Sequence, residues 1–276
     1  MKIFRKQTGT NKLLKLFKAV TQSESEDFDT KPLIDLILTT SEEWKLNLNV
    51  FYVTGPYPND GWKTKKGFVN GLLKKNFKNI HHLLISDSNN LLKVNFENWS
   101  HNRIIEVLSD TISLELMIDS EIASNDEITK LAEQFYSAFQ FQYGFQFDQS
   151  KNFSISEGKI KNGLFSYSEK NNEDYEKWSK YASAIKDGYL RNIYCINLIS
   201  EEHLHNEILK DLTEELGTLN LRQNFYLWTL DNNEVEYVKS QLKNSELLVE
   251  NDEFDSTNAY QFITQEIEKY APQQAI

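Results

Sequence analysis

The chain has 276 residues, with 30 Lys and Arg against 41 Asp and Glu, a formal net charge of −11. Its single cysteine excludes a disulfide scaffold and the Cys-rich zinc modules, and no apolar run approaches the roughly 18–20 residues of a membrane-spanning helix. The opening MKIFRKQTGTNK has no apolar stretch after its basic residues, so no secretory signal is expected and the chain reads as a soluble, cytosolic globular protein.

In chain order, apolar residues at 13, 14, 16, 17 and 20 fit one helical stripe over 8–20, and the polar SESEDFD at 23–29 reads as a linker. Residues 1–29 are thus expected to be an N-terminal extension with a short helix, followed by a single domain over 30–276. A helix starts near Pro32 and runs through LIDLILTT. From Trp44 the period becomes two, with Leu46, Leu48, Val50 and Tyr52 on one side, which predicts a strand ending at the GPYPNDG turn. A helix over 65–79 follows, then strands at 80–86 and 91–98 joined by DSNN, and another at 112–119.

Residues 125–142 carry Ile128, Leu131, Phe135 and Phe139 on one helical face, with Asn125 and Asp126 as caps. GFQFD at 144–148 alternates as a short strand, and a weak strand is expected near 153–156. A helix over 171–188 ends at Gly188, and LRNIYCINLIS at 190–200 reads as a buried strand. Ser200 is expected to open a helix, 219–230 to be extended, and two helices to close the chain. Hairpins without a strict β-α-β rhythm predict an α+β fold, a mainly antiparallel sheet with helices packed on one face; a doubly wound α/β fold is the second choice.

No glycine-rich phosphate loop, G-x-S-x-G or H-E-x-x-H motif occurs. His203 and His205 would lie about 200° apart on a helix, so they cannot share one metal ion. His81 and His82 would point to opposite faces of a strand. Cys195, among apolar neighbours, reads as an inert core thiol. Lys63, Lys65, Lys66, Lys74, Lys75 and Lys78, interleaved with Trp62, Phe68 and Phe77, form the one basic patch, read as an exposed helix face. No cofactor, metal, nucleic acid or membrane is therefore expected as a partner.

The charge is unevenly placed. Residues 1–200 are balanced, while residues 201–276 hold 16 acidic residues against Lys210, Arg222, Lys239, Lys243 and Lys269. This acidic part suits a basic protein and repels phosphates. Glu250, Asp252, Glu253 and Asp255 flank Phe254, an aromatic amid carboxylates of the kind found at interface centres, and these five are the candidate partner-binding residues.

The run GYLRNIYCINLISEEHL at 188–204 resembles immunity proteins of bacterial polymorphic-toxin systems. The resemblance rests on the Gly-x-Leu-Arg start, Arg191–Tyr194, Asn197, and Ser200 ahead of His203-Leu204. SLELMID, an acidic turn and a long aromatic helix are also similar. It implies a cytosolic antidote, not an enzyme, that binds one cognate toxin and occludes it; no binding residue carries over by motif. Beside it stand a hydrolase or transferase with dispersed residues, with His81 or His82, Arg191 and carboxylates meeting in a cleft, and a regulatory scaffold.

Overall fold

The computed structural model describes residues 9–20, 22–55, 60–74, 77–78, 80–98, 111–150, 153–154, 159–162, 165–168, 185, 188–243, 245 and 247–248. Its strands are β1 (Thr10–Ala19), β2 (Leu48–Thr54), β3 (Asp60–Trp62), β4 (His82–Asp87), β5 (Leu92–Asn98), β6 (Thr111–Asp119), β7 (Tyr143–Ser150), β8 (Phe153–Ser154), β9 (Lys159–Asn162), β10 (Phe165–Ser168), β11 (Ile196–Ile199), β12 (Thr218–Leu221) and β13 (Tyr226–Thr229). Its helices are α1 (Gln22–Asp27), α2 (Lys31–Glu43), α3 (Lys65–Leu73), α4 (Asn125–Phe139), α5 (Glu207–Glu215) and α6 (Asn232–Leu242). Ten strands form one antiparallel sheet in the order β12-β13-β11-β7-β1-β6-β5-β4-β2-β3, and β8–β10 form a small separate sheet. The α+β class with a mainly antiparallel sheet is borne out.

Strand register explains the two cores. Leu14 and Leu16 of β1 lie opposite Leu116 and Leu114 of β6, which lead on to Val94 and Phe96 of β5 and Ile85 and Leu83 of β4. That face packs against Leu33, Ile34 and Ile37 of α2, Phe68 and Leu72 of α3, and Ile128, Leu131 and Phe135 of α4. α2, α3 and α4 thus cover this face, but helices are not confined to it as expected. On the opposite face, at the β12–β7 end, Tyr143, Phe145 and Trp228 pack with Leu209 and Leu212 of α5 and Val235, Val238 and Leu242 of α6. Among the described helices none is long and apolar enough to cross a membrane.

Several local expectations are corrected. The helix over 8–20 is instead β1, paired along its length with β6 and β7, so it is a central strand rather than part of an extension. The spacing of Leu13, Leu14, Leu16 and Phe17 is that of a strand buried on both faces, where alternation disappears. The 23–29 linker is largely α1, anchored where the Ser25 hydroxyl donates to Asn98 Oδ1 at 2.8 Å.

The first alternating strand begins at Leu48, and a register shift between Leu48 and Val50 exchanges its faces. Phe51 and Val53 thus point into the core while Val50 is exposed. The cap of α4 is Ser124, in a reciprocal box with Glu127, rather than Asn125 or Asp126. The strand expected over 190–200 shortens to β11. Asn197 explains this: its side chain accepts from Tyr194 N–H at 2.9 Å and donates to Tyr194 O at 2.6 Å, taking the place of a ladder partner.

The helix expected over 171–188 lies outside the described residues except at 185 and 188, and the helix expected at the C-terminus lies wholly outside them.

Candidate partner-binding surface

The five candidate residues Glu250, Asp252, Glu253, Phe254 and Asp255 lie outside the described residues. Much of the acidic part of the chain is nonetheless in view, built on α5, β12, β13 and α6. Ser200 does not open a helix as expected. It leads into a turn and a single 3-10 turn at His203–His205, after which Asn206 caps α5 by accepting from Leu209 N–H at 3.0 Å. The delay has a cause in the side chains. His203 is fully buried, and its Nδ1 accepts from the Ser200 N–H at 3.2 Å and lies 2.9 Å from the Ser200 hydroxyl oxygen.

The capped α5 buries Leu209, Leu212 and Thr213, so helical geometry turns Glu207, Ile208, Asp211, Glu214 and Glu215 outward. Ile208 is 51% exposed. Asp211 and Glu215 follow it at three and seven residues on the same face, with Glu207 beside it; Lys210, two residues on, turns to the opposite flank. An exposed branched apolar side chain among three carboxylates results. Two further acids stand just before α5. Glu201 accepts from the Tyr226 hydroxyl at 2.7 Å, and hydrogen bonding by Ser200 holds the Glu202 carboxyl below its ordinary range, so it stays ionised. On α6, Asp231 and Glu234 close a capping box, while Glu236 and Tyr237 are exposed.

The remaining motifs take structural places. Cys195 is half-buried rather than in the core; its Sγ lies 3.3 Å from Asn232 Oδ1, and burial first, then Asp148, pushes the thiol up. His82 Nε2 is 2.5 Å from Asn95 Oδ1, and Asn95 Nδ2 donates to Glu97 at 3.1 Å. Arg191 is buried over the Phe145 ring on β7. Four strand spacings, about 19 Å, separate β4 from β7, so His82 and Arg191 share no cleft. Among the described residues no cluster of three or more His, Cys, Asp or Glu side chains is arranged to hold a metal ion.

In the basic patch, Lys63, Lys65, Lys66, Lys74 and Lys78 are exposed, and Lys65 and Lys78 pair with Glu42 and Asp27. The interleaved aromatics are committed to packing. Phe68 and Phe77 are buried, and Trp62 stands edge-on to Phe68 over Gly71, so none of the three offers a free stacking face.

No family model matches the chain, and no curated protein matches it in sequence. A solved structure, the Pseudomonas aeruginosa T6SS protein PA0821, shares the fold: the TM-score is 0.53 at 10% identity, over 87% of this chain and 73% of that one. That likeness is one of architecture, carried by a chain in which nine residues in ten differ.

Proposed function

We propose that this protein is a cytosolic binding protein of the immunity type, which neutralises a cognate bacterial toxin by occluding it and performs no catalytic step of its own. The observation that carries the reading is the outer face of α5. Ile208 offers an apolar anchor, and Glu207, Asp211 and Glu215 around it supply a field that draws in a basic partner. Holding these groups on a capped helix lowers the entropy lost on docking. A fold shared with a T6SS protein and the resemblance of residues 188–204 to immunity proteins both support a place in a bacterial toxin system.

The test is association with the protein encoded by the adjacent upstream gene. Reversing three charges together, Glu207→Lys, Asp211→Lys and Glu215→Lys, slows association at low salt by about tenfold or more and leaves the melting temperature nearly unchanged. An association rate equal to that of the unmodified protein removes α5 from the interface.

A further inference from the structure

The strand that follows α5 ends the sheet. β12 pairs with β13, and no described strand lies on its other side. The direction of its free groups follows from one bond. Arg222 N–H donates to Phe225 O at 2.8 Å in the connecting turn, so Arg222 and Phe225 are a hydrogen-bonded pair. Alternation along the ladder then makes Asn220 and Thr218 bonded positions as well, and turns the N–H and C=O of Leu219 and Leu221 away from β13.

Edge strands that must stay unpaired are usually guarded by a charge, a proline or a bulge. The four residues Thr218-Leu219-Asn220-Leu221 contain no charge and no proline, and their register with β13 is unbroken. Leu221 is 68% exposed, the most exposed of the large hydrophobic residues among those described. The acidic end of α5, with Glu214 and Glu215 both exposed, leads directly into this edge.

We propose that β12 is a docking edge on which an extended, basic segment of the partner protein adds as an eleventh strand. The proposal rests on the binding-protein reading above and specifies how the partner is held. Leu219 and Leu221 supply backbone donors and acceptors, the Leu221 side chain receives an apolar residue, and Glu214 and Glu215 face the segment's basic side chains. Charge argues against a second copy as the occupant, because two chains of net charge −11 bring like fields together at this edge.

The experiment uses the full chain and the protein encoded by the adjacent upstream gene. Leu219→Pro deletes an outward N–H that the β12–β13 ladder does not use, and Leu221→Lys places a guarding positive charge on the edge. Each weakens binding by about tenfold or more while the melting transition stays cooperative. Hydrogen exchange supplies an independent readout without mutation: the Leu219 and Leu221 amides slow by at least about tenfold in the complex, and the Asn220 amide, already paired, changes less.

If the complex forms, and neither the variants nor the exchange rates respond, the edge is not the docking site and the binding reading stands. If no complex forms and no toxicity is relieved, the binding reading and this proposal fall together. Concentration-dependent self-association abolished by Leu221→Lys would give the edge to a second copy instead.

Discussion

His203 shows how one side chain ties a segment to the core. It is fully buried, stacks on the Tyr143 ring at 5.5 Å, and accepts from Ser200 N–H through Nδ1, which also lies 2.9 Å from the Ser200 hydroxyl oxygen. Its Nε2 is buried as well. Tyr143 in turn donates to Asn192 O and accepts from Arg191 N–H, so ring and hydroxyl link residues 188–192 to the turn before α5. Burial pulls the imidazole down to about 4, against the opposing pull of Glu202 and the Tyr189 backbone.

Because the folded state resists protonation, the linked stability is fully present above the ordinary value near 6.5 and is lost as pH falls toward about 4. The shift corresponds to about 3 kcal/mol between neutral pH and about pH 4. Urea unfolding across that range should show His203→Gln losing less stability on acidification than the parent chain. Equal losses in the two proteins would mean that His203 does not carry the effect. None of this was legible in the H-x-H spacing. Burial of one ring and exposure of the other depend on a 3-10 turn fixed by Ser200 and Asn206, which stands where a helix was expected.

Elements with a single buried face were readable from periodicity, and those with two were not. α4 shows a clean stripe because its opposite side meets water, and β5 alternates strictly because its second face is less covered. β1 lies at the centre of the sheet between β6 and β7, so its apolar residues no longer mark one side. Lys12 and Lys15 disguised it further, since both are satisfied by partners distant in sequence: Lys12 pairs with Asp148 and Lys15 with Glu115 at 2.5 Å. No local pattern announces such pairs.

The start of α4 carried a local signal of a different kind, a serine three residues before a glutamate. Ser124 accepts from Glu127 N–H at 3.3 Å while Glu127 accepts from Ser124 N–H at 2.8 Å. Ser124→Ala should lower stability by about 1 kcal/mol in denaturant unfolding. A loss near zero would show that packing of Phe135 and Tyr136, rather than the cap, fixes the helix.

At the scale of the molecule, charge follows the order of the strands. Exposed lysines gather around α3, beside the β2–β3 end of the sheet, and exposed carboxylates gather on α5 and α6 beside the β12–β13 end. This asymmetry was legible from the count of acidic residues in 201–276, but its placement on a rigid helix next to an unguarded sheet edge required the fold. The acidic end joins a long-range field, an exposed isoleucine and backbone groups that pair with no described strand, three contributions that act at successive stages of protein association.

The most direct measurement is co-expression of this protein with the product of the adjacent upstream gene, read as cell growth and as co-elution on size exclusion. The upstream product alone is expected to arrest growth, this protein to restore it, and the two to elute together at low salt. Unimpaired growth with the upstream product alone and separate elution of the two proteins would contradict the binding reading.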